Sequence, residues 1–250
     1  MIRVIMHGYN GRMGRVIRES LKGQSDMEIA CGIDSFSDGG EENPLFKVPQ
    51  DCNIAGDVII DFSHFSATPA LLEFALKTKT PLVIATTAIN EELMEKIKEA
   101  SQEIAIFKSR NMSLGINLVA KALKSIAPAL EDSFNMEIIE KHHNKKVDSP
   151  SGTALLLADA INESLQEKKS YIYGRHGTND ECKLSEMGIH AIRGGTIPGE
   201  HTVIFAGDDE IIEITHTALS RKIFANGAID AARFLAGKPK GFYTMEDLLK

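Results

Sequence analysis

Cysteine is scarce in this sequence, and Cys31, Cys52 and Cys182 stand far apart among its 250 residues. An odd number without ligand spacing excludes a disulfide framework and a cysteine-based metal site, and it fits a reducing compartment. Each cysteine is expected to act as a small apolar residue. No apolar run approaches membrane-spanning length, and the chain enters "IRVIM" at residue 2 without a charged-then-apolar leader, so a soluble cytoplasmic protein is expected. Positive charge is also in deficit. At a net charge of −7 the surface has no general attraction for nucleic acid or anionic lipid, so neither partner is expected and any anion site must be a local basic cluster. Internal repeats and low-complexity tracts are missing as well.

What remains is an ordinary globular composition, 43% apolar and 25% charged, in a chain long enough for one large domain or two small ones. The first third alternates strands with amphipathic helices. "IRVIMHG", "MEIACGID", "DVIIDFS", "PLVIATT" and "IAIFK" read as strands, and "RVIRESLKG" as a helix that stops at Gly23. "TPALLEFALKT" offers Thr68 as N-cap with Pro69 at the first helical position, and "NEELMEKIKEA" offers Asn90 as a cap. Strands alternating with helices imply an α/β domain whose parallel sheet is covered on both faces.

After Asn111 the pattern changes. A long apolar segment, "SLGINLVAKALKSIAPAL", leads to the strand "FNMEIIEKHH", the helix "SGTALLLADAINESL" and a polar, loop-like region from Gln166 to Lys183. "MGIHAIR", "HTVIFAG" and "EIIEITH" then suggest an antiparallel or mixed sheet, and "FANGAIDAARFLAG" a closing amphipathic helix before a short tail.

"MHGYNGRMGR" sets Gly8, Gly11 and Gly14 between the first strand and the first helix. A strand-turn-helix of this kind turns backbone N–H groups at the helix start toward a pyrophosphate, with glycine where the backbone must come close. The more familiar G-x-G-x-x-G spacing would want glycine where Asn10 stands. Asp34, at the end of the second strand, can accept hydrogen bonds from an adenosine ribose or serve as a turn aspartate in "DSFSDGG". Together the two features favour a dinucleotide. Arg12 could approach a ribose phosphate, so NADH and NADPH both stay open.

These segments, with "SRNMSLGIN", "EKHHNKKVDSPSGTA", "RGGTIPGEHTVIF" and "THTALSRKIFANGA", occur in an order and spacing that resembles the 4-hydroxy-tetrahydrodipicolinate reductases (dihydrodipicolinate reductases) of bacterial lysine and diaminopimelate synthesis. The resemblance runs from Ile2 to the C-terminal tail. It implies a Rossmann-type doubly wound parallel sheet plus an inserted α+β domain for substrate and oligomerisation with an open mixed sheet. The dinucleotide domain would comprise 1–111 with 221–250, and the insertion 112–220. A homotetramer formed through the open sheets is implied too. The family's cofactor loop maps to Gly8, Tyr9, Asn10, Gly11, Arg12 and Met13, and its ribose ligand to Asp34. The basic residue that commonly follows is here Ser35, which weakens the case for NADPH. The family's Gly-Thr-Thr-Gly turn becomes Ala85-Thr86-Thr87-Ala88, without either glycine, and a second cofactor loop corresponds to Ser109, Arg110, Asn111 and Met112.

The stretch from His142 to Lys146 has three readings. A solvated basic loop is the usual one for a charge run, but the strand before it and the helix start after it would fix it in place. Zinc lacks a ligand set, because adjacent strand histidines face opposite ways and no cysteine or H-E-x-x-H pattern is near. A dicarboxylate site uses every residue: Lys146 supplies charge, while N–H groups of the Ser151 helix and the Thr153 hydroxyl supply donors, and a histidine transfers a proton. The resemblance implies His142 as general acid with Lys146 as its partner, and His143, Ser151, Gly152 and Thr153 on the substrate. It implies a mechanism in which water leaves the hydroxylated cyclic imine, hydride adds to ring carbon 4, and His142 protonates the enamine.

His64, His176, His190, His201 and His216 are expected to be structural or solvent-facing. Arg193, in "RGG", suits an anion or a turn anchor equally, and Arg221 a hinge or a site. The competing functions are a semialdehyde dehydrogenase, which needs a nucleophilic cysteine beside a base, and a dinucleotide-binding sensor, which needs no proton donor.

Overall fold

The computed structural model describes residues 1–37, 42–178 and 181–250. In chain order these form β1 (Ile2–His7), α1 (Arg12–Leu21), β2 (Met27–Ile33), β3 (Leu45–Phe46), β4 (Val58–Asp61), α2 (Thr68–Thr78), β5 (Leu82–Ile84), α3 (Glu91–Ala100) and β6 (Ala105–Lys108). Then come α4 (Leu114–Leu130), β7 (Asn135–His142), α5 (Gly152–Ser164), β8 (Ser170–Tyr173), β9 (Glu186–Arg193), β10 (Glu200–Ala206) and β11 (Ile211–Thr217). The chain ends in α6 (Lys222–Leu235), β12 (Gly241–Tyr243) and α7 (Met245–Leu248). It divides into two compact units, Met1–Ser113 with Arg221–Lys250, and Leu114–Ser220.

The first unit holds a seven-stranded sheet ordered β12-β6-β5-β4-β1-β2-β3, parallel throughout. Strand periodicity explains why both faces need cover. Val4, Met6, Val58 and Ile60 point into a core shared with Ile17 and Leu21 of α1 and Ala228 and Leu235 of α6. Ile5 and Ile59, the residues between them, point into a second core with Leu71 of α2 and Ile97 of α3. Truncating any of the leucines, the isoleucines or Met6 among these to alanine is expected to cost about 2–5 kcal/mol. Asn90 caps α3 through a 2.9 Å bond from the Leu93 N–H, as its position suggests. Thr68 does not cap α2. A short 3-10 turn over Phe65–Ala67 leads straight into the helix, so Ala67 is the cap, Thr68 is already helical, and Pro69 sits one position deeper than expected.

The second unit holds a five-stranded sheet ordered β11-β10-β7-β9-β8, antiparallel from β11 to β7 and parallel from β7 to β8. Met136, Ile138, Val203 and Phe205 face a core filled by Leu123 of α4 and Leu157 and Ile161 of α5. The alternate residues, among them Ile204, Thr202, Thr215 and the exposed Ile211, lie on the face opposite that core. The expectation of a loop from Gln166 to Lys183 needs correction, because Ser170–Tyr173 pairs with β9; residues 179 and 180 of that stretch lie outside the described residues. Its polar tyrosines and single isoleucine, YIY, suit an edge strand rather than a buried one. The C-terminal tail is likewise structured, with β12 extending the first sheet beside β6. Among the described residues no helix is long and apolar enough to cross a membrane.

Candidate active site

The first unit gathers its candidates at the C-terminal ends of the parallel strands. After His7 the chain turns at Gly8, whose φ is +80° and where a Cβ would stand 2.8 Å from the Phe62 carbonyl oxygen. Gly14 lies under that turn, and a Cβ there would come within 2.2 Å of the Gly8 oxygen. Both positions therefore demand glycine. Gly11 caps α1 with no side chain, and the first turn of α1 carries no acidic residue. The N–H groups of that turn have no partner within the helix and sit at its positive end, which fits a pyrophosphate. Exposed Arg12 and half-buried Met13 open the same helix.

Asp34 is pinned from two sides. Its Oδ2 accepts from the Asn10 N–H at 2.9 Å and its Oδ1 from the Phe36 N–H at 3.0 Å, while Asn10 Nδ2 donates to the Phe36 carbonyl. Asn10 thus ties the glycine loop to the end of β2, which accounts for asparagine where the commoner spacing has glycine. The Tyr9 side chain is fully buried, with its ring under the Arg18 guanidinium and its hydroxyl donating to Asn43, so only its backbone can face a ligand. Met112 is similarly a core residue.

The turn from Ala85 to Ala88 is held from below. Thr86 is buried, and its hydroxyl donates to Asp61 Oδ2 at 2.8 Å. Asp61 itself is wholly buried and also bonds His7 Nδ1 at 2.8 Å and the Ser63 N–H at 3.0 Å. Burial works to raise the Asp61 pKa, but the bonds from His7, Ser63 and Thr86 hold it below the usual carboxylate range. One carboxylate thereby joins the ends of β1, β4 and β5. Thr87 is exposed, and Ala88 adopts a left-handed φ of +59° where the family turn has glycine. Ser109 and Asn111 bond within their own turn, the Ser109 hydroxyl donating to the Asn111 carbonyl and the Asn111 side-chain oxygen accepting from the Ser113 N–H. Arg110 is exposed beside them.

In the second unit β7 delivers His142 as its last residue, in phase with the inward Met136 and Ile138 and only 8% exposed. His142 Nδ1 lies 2.6 Å from Glu140 Oε2. Glu140 is completely enclosed; Arg193 of β9 grips both its oxygens at 2.7 Å, and the Ser151 N–H reaches Oε1 at 2.9 Å. Burial favours protonated Glu140, yet Arg193, His142 and Ser151 keep its pKa below normal. His142 is pushed down by burial first; Glu140 opposes this, and the charges of Lys146 and Arg193 add to it. Ser151 caps α5, its hydroxyl accepting from the Ala154 N–H, and that hydroxyl also meets His201 Nε2 at 3.0 Å. His201 packs edge-on against His142 with centroids 5.1 Å apart, and burial and the neighbouring His142 push its pKa down to about 4.

Lys146 and the start of α5 come together as the spacing suggests, but they are not empty-handed. Lys146 Nζ pairs with Asp148 Oδ1 at 2.8 Å, and the Gly152 N–H donates to the same carboxylate. His143 is half-buried with its Nδ1 enclosed and without a partner, and Thr153 is half-buried in the first turn of α5. Glu140 and His201 were not singled out by sequence as site residues, nor was Gly199, where a Cβ would stand 3.0 Å from His142 Nε2, and Arg193 only as one of two options. A signal existed for Glu140: a charged residue two places before His142 shares the buried face of the strand. No group of three or more His, Cys, Asp or Glu side chains placed to hold a metal ion occurs among the described residues. Cys31 is buried against Cys52, and burial pushes its thiol up to about 12, so it offers no nucleophile.

Comparison with known proteins gives a consistent result. Residues 2–112 match the family described as dihydrodipicolinate reductase, N-terminus, and residues 115–249 the one described as dihydrodipicolinate reductase, C-terminus. A 4-hydroxy-tetrahydrodipicolinate reductase of Caldanaerobacter subterraneus subsp. tengcongensis is 50% identical over all of this chain and 99% of its own, and one of Clostridium tetani is 49% identical over 100% and 97%. Among solved structures, a dipicolinate-bound dihydrodipicolinate reductase from Paenisporosarcina sp. TG-14 superposes with a TM-score of 0.82 at 22% identity, covering 98% of this chain and 97% of that one.

Proposed function

The chain belongs to the dihydrodipicolinate reductase family, and on that premise we propose how its residues divide the work. It is an oxidoreductase of lysine and diaminopimelate synthesis that reduces 4-hydroxy-tetrahydrodipicolinate, through the dehydrated conjugated imine, with NADH or NADPH. The observation that carries the division is the enclosed His142 beside Lys146 and the start of α5, in a unit separate from the glycine loop.

The dinucleotide-binding domain, 1–111 with 221–250, lies within the first unit. Within the loop from Gly8 through Met13, the N–H groups of Gly8, Tyr9, Asn10 and Gly11 are spent on Ile33, Asp34 and Gly8, which leaves those of Arg12 and Met13 for the pyrophosphate; Asp34 meets the adenosine ribose, and Ala85, Thr86 and Thr87 with Ser109 through Met112 shape the nicotinamide end. Asp34 followed by Ser35 repels a 2′-phosphate and offers no arginine to hold one, so NADH is used at least as well as NADPH despite Arg12. When bound, the nicotinamide supplies hydride to ring carbon 4.

The substrate domain, 112–220, which takes in the second unit, binds the dicarboxylate. Lys146 and the first N–H groups of α5, at Gly152 and Thr153, take one carboxylate, displacing Asp148; His143 and Ser151 complete the site. His142 gives its proton to the enamine carbon. In the unliganded chain burial depresses the His142 pKa, and two incoming carboxylates raise it again, so the substrate charges its own acid. The face of the second sheet opposite its core pairs with other copies in a homotetramer. The protein acts in the cytoplasm on this small dicarboxylate, with no nucleic-acid or membrane partner.

The test couples the protein to a synthase that makes the hydroxylated imine from pyruvate and aspartate semialdehyde, and follows NADH and NADPH oxidation separately. Oxidation of both with no NADPH advantage is expected. A tenfold preference for NADPH, about 1.4 kcal/mol in transition-state terms, overturns the cofactor choice. No oxidation of either by folded protein overturns the activity.

A further inference from the structure

Glu140 has no role in the scheme above, yet among the described residues of its unit it is the most enclosed charge, and each of its oxygens is claimed twice. Oε2 meets His142 Nδ1 and Arg193 Nη1; Oε1 accepts from Arg193 Nη2 and the Ser151 N–H. We infer that Glu140, locked by Arg193, is a positioning residue that keeps a hydrogen on His142 Nδ1, so that the proton given to substrate always leaves from Nε2. The inference deepens the reading of His142 as proton donor and rests on it.

The argument is one of valence. An ionised carboxylate can only accept, so a ring nitrogen bonded to it must carry hydrogen in both the neutral and the cationic imidazole. The second proton, the one gained and lost, is then confined to Nε2. That edge of the ring is kept open by Gly199, where a Cβ would stand 3.0 Å from Nε2 and 3.3 Å from Cδ2. Any side chain at 199 would crowd the atom that must reach the substrate.

Arg193 has a second effect through charge. The groups facing His142 are Glu140 on its own strand, Arg193 on β9, His201 on β10 with His216 paired to it on β11, and Lys146 in the loop that follows β7. Of these only Glu140 favours the protonated ring. Unopposed, it would hold His142 as a lasting ion pair that does not surrender its proton; Arg193 offsets that pull while fixing the carboxylate's plane with a two-pronged grip. His201, pushed to about 4, is neutral near pH 7 and does not compete as an acid.

The experiment is a pH titration of the full chain with isotope-labelled histidine, followed by NMR without substrate, for the wild type, Glu140→Gln and Arg193→Lys. Thermal melting checks that each variant folds. In the wild type the neutral His142 ring is expected as the Nδ1–H tautomer. Glu140→Gln should lower its titration midpoint and mix the tautomers, and should lower kcat about tenfold or more with KM for the imine changed far less. Arg193→Lys, which keeps the charge with fewer N–H groups, should retain the tautomer. If Glu140→Gln does not fold, Glu140→Asp is read in the same way, its shorter carboxylate loosening the Nδ1 bond and lowering kcat. An unmoved midpoint and tautomer in a folded Glu140 variant overturn the inference, as does activity that falls in step with melting temperature while the His142 signals stay fixed. Because the titration uses no substrate, its outcome is independent of whether the chain reduces the imine.

Discussion

In the function proposed above, the glycine loop and the His142 cluster hold an anion in different ways. Around Gly8 to Gly14 the donors are backbone N–H groups at the start of α1, and what matters is the absence of side chains: a methyl at Gly14 would meet the Gly8 carbonyl at 2.2 Å. Around His142 charged side chains do most of the work beside the first N–H groups of α5: His142, Glu140 and Arg193 are enclosed and bonded to one another, and half-buried Lys146 of the following loop pairs with Asp148. Backbone donors are fixed as soon as the helix forms and carry no titratable proton. Side-chain donors can move protons, but each must be positioned by a partner, which is why the second site needs Glu140, Arg193 and Ser151 around a single histidine.

If that contrast is right, the two sites fail in different ways. The largest effect belongs to His142→Gln, which should lower kcat by roughly a hundredfold or more, the range of a lost general acid, while NADH affinity measured by fluorescence stays constant. Lys146→Met should raise KM as well, since its interaction is made in ground and transition states alike. Gly14→Ala inverts the pattern. A backbone collision of this kind costs about 1–3 kcal/mol, expected as a roughly tenfold or greater weakening of NADH binding with no change in binding of pyridine-2,6-dicarboxylate. Gly14→Ala that weakened both ligands equally would show that the contrast is false.

Two smaller effects sharpen it. Asp148 holds the place assigned to a substrate carboxylate, between Lys146 Nζ and the Gly152 N–H, through a partly exposed pair of the sort worth about 0.2–1 kcal/mol. Asp148→Asn should therefore tighten pyridine-2,6-dicarboxylate by up to about fivefold, as read by calorimetry; weaker binding would assign Asp148 to holding the loop instead. Ala88, at φ +59°, pays for a conformation that glycine adopts freely. Ala88→Gly should raise unfolding stability by up to about 1 kcal/mol, measured by denaturant titration, and leave kcat unaltered.

The sequence told these two regions apart unevenly. Most elements of the first unit were legible, because buried parallel strands are short β-branched runs and its helices are amphipathic, α3 with its own cap at Asn90. Thr68 misled, since a 3-10 turn is not encoded in the capping pattern it imitates. β3, β8 and β12 escaped because edge strands need not alternate cleanly and owe their conformation to a neighbour, β2, β9 or β6, and α7 escaped because it is a single turn. At the site, His142 and Lys146 announced themselves by proximity along the chain. Arg193 lies 53 residues from Glu140, and only the parallel register that sets His142 beside Arg193 brings them together. Likewise Asp148 read as part of a motif, and its occupation of the anion position depends on how the loop folds back on α5. Local spacing reports backbone-built sites; a site built from side chains is finished by register.

The claim that substrate carboxylates charge His142 is open to one direct measurement. Calorimetric binding of pyridine-2,6-dicarboxylate near pH 7, repeated in buffers of different ionisation enthalpy, gives the protons taken up per site for the wild type and for His142→Gln. Because the His142 pKa is depressed in the free chain and raised by the bound dianion, the wild type should take up a substantial fraction of a proton. His142→Gln should take up almost none. Equal uptake by the two proteins, or none by the wild type while it binds the ligand, would contradict the account.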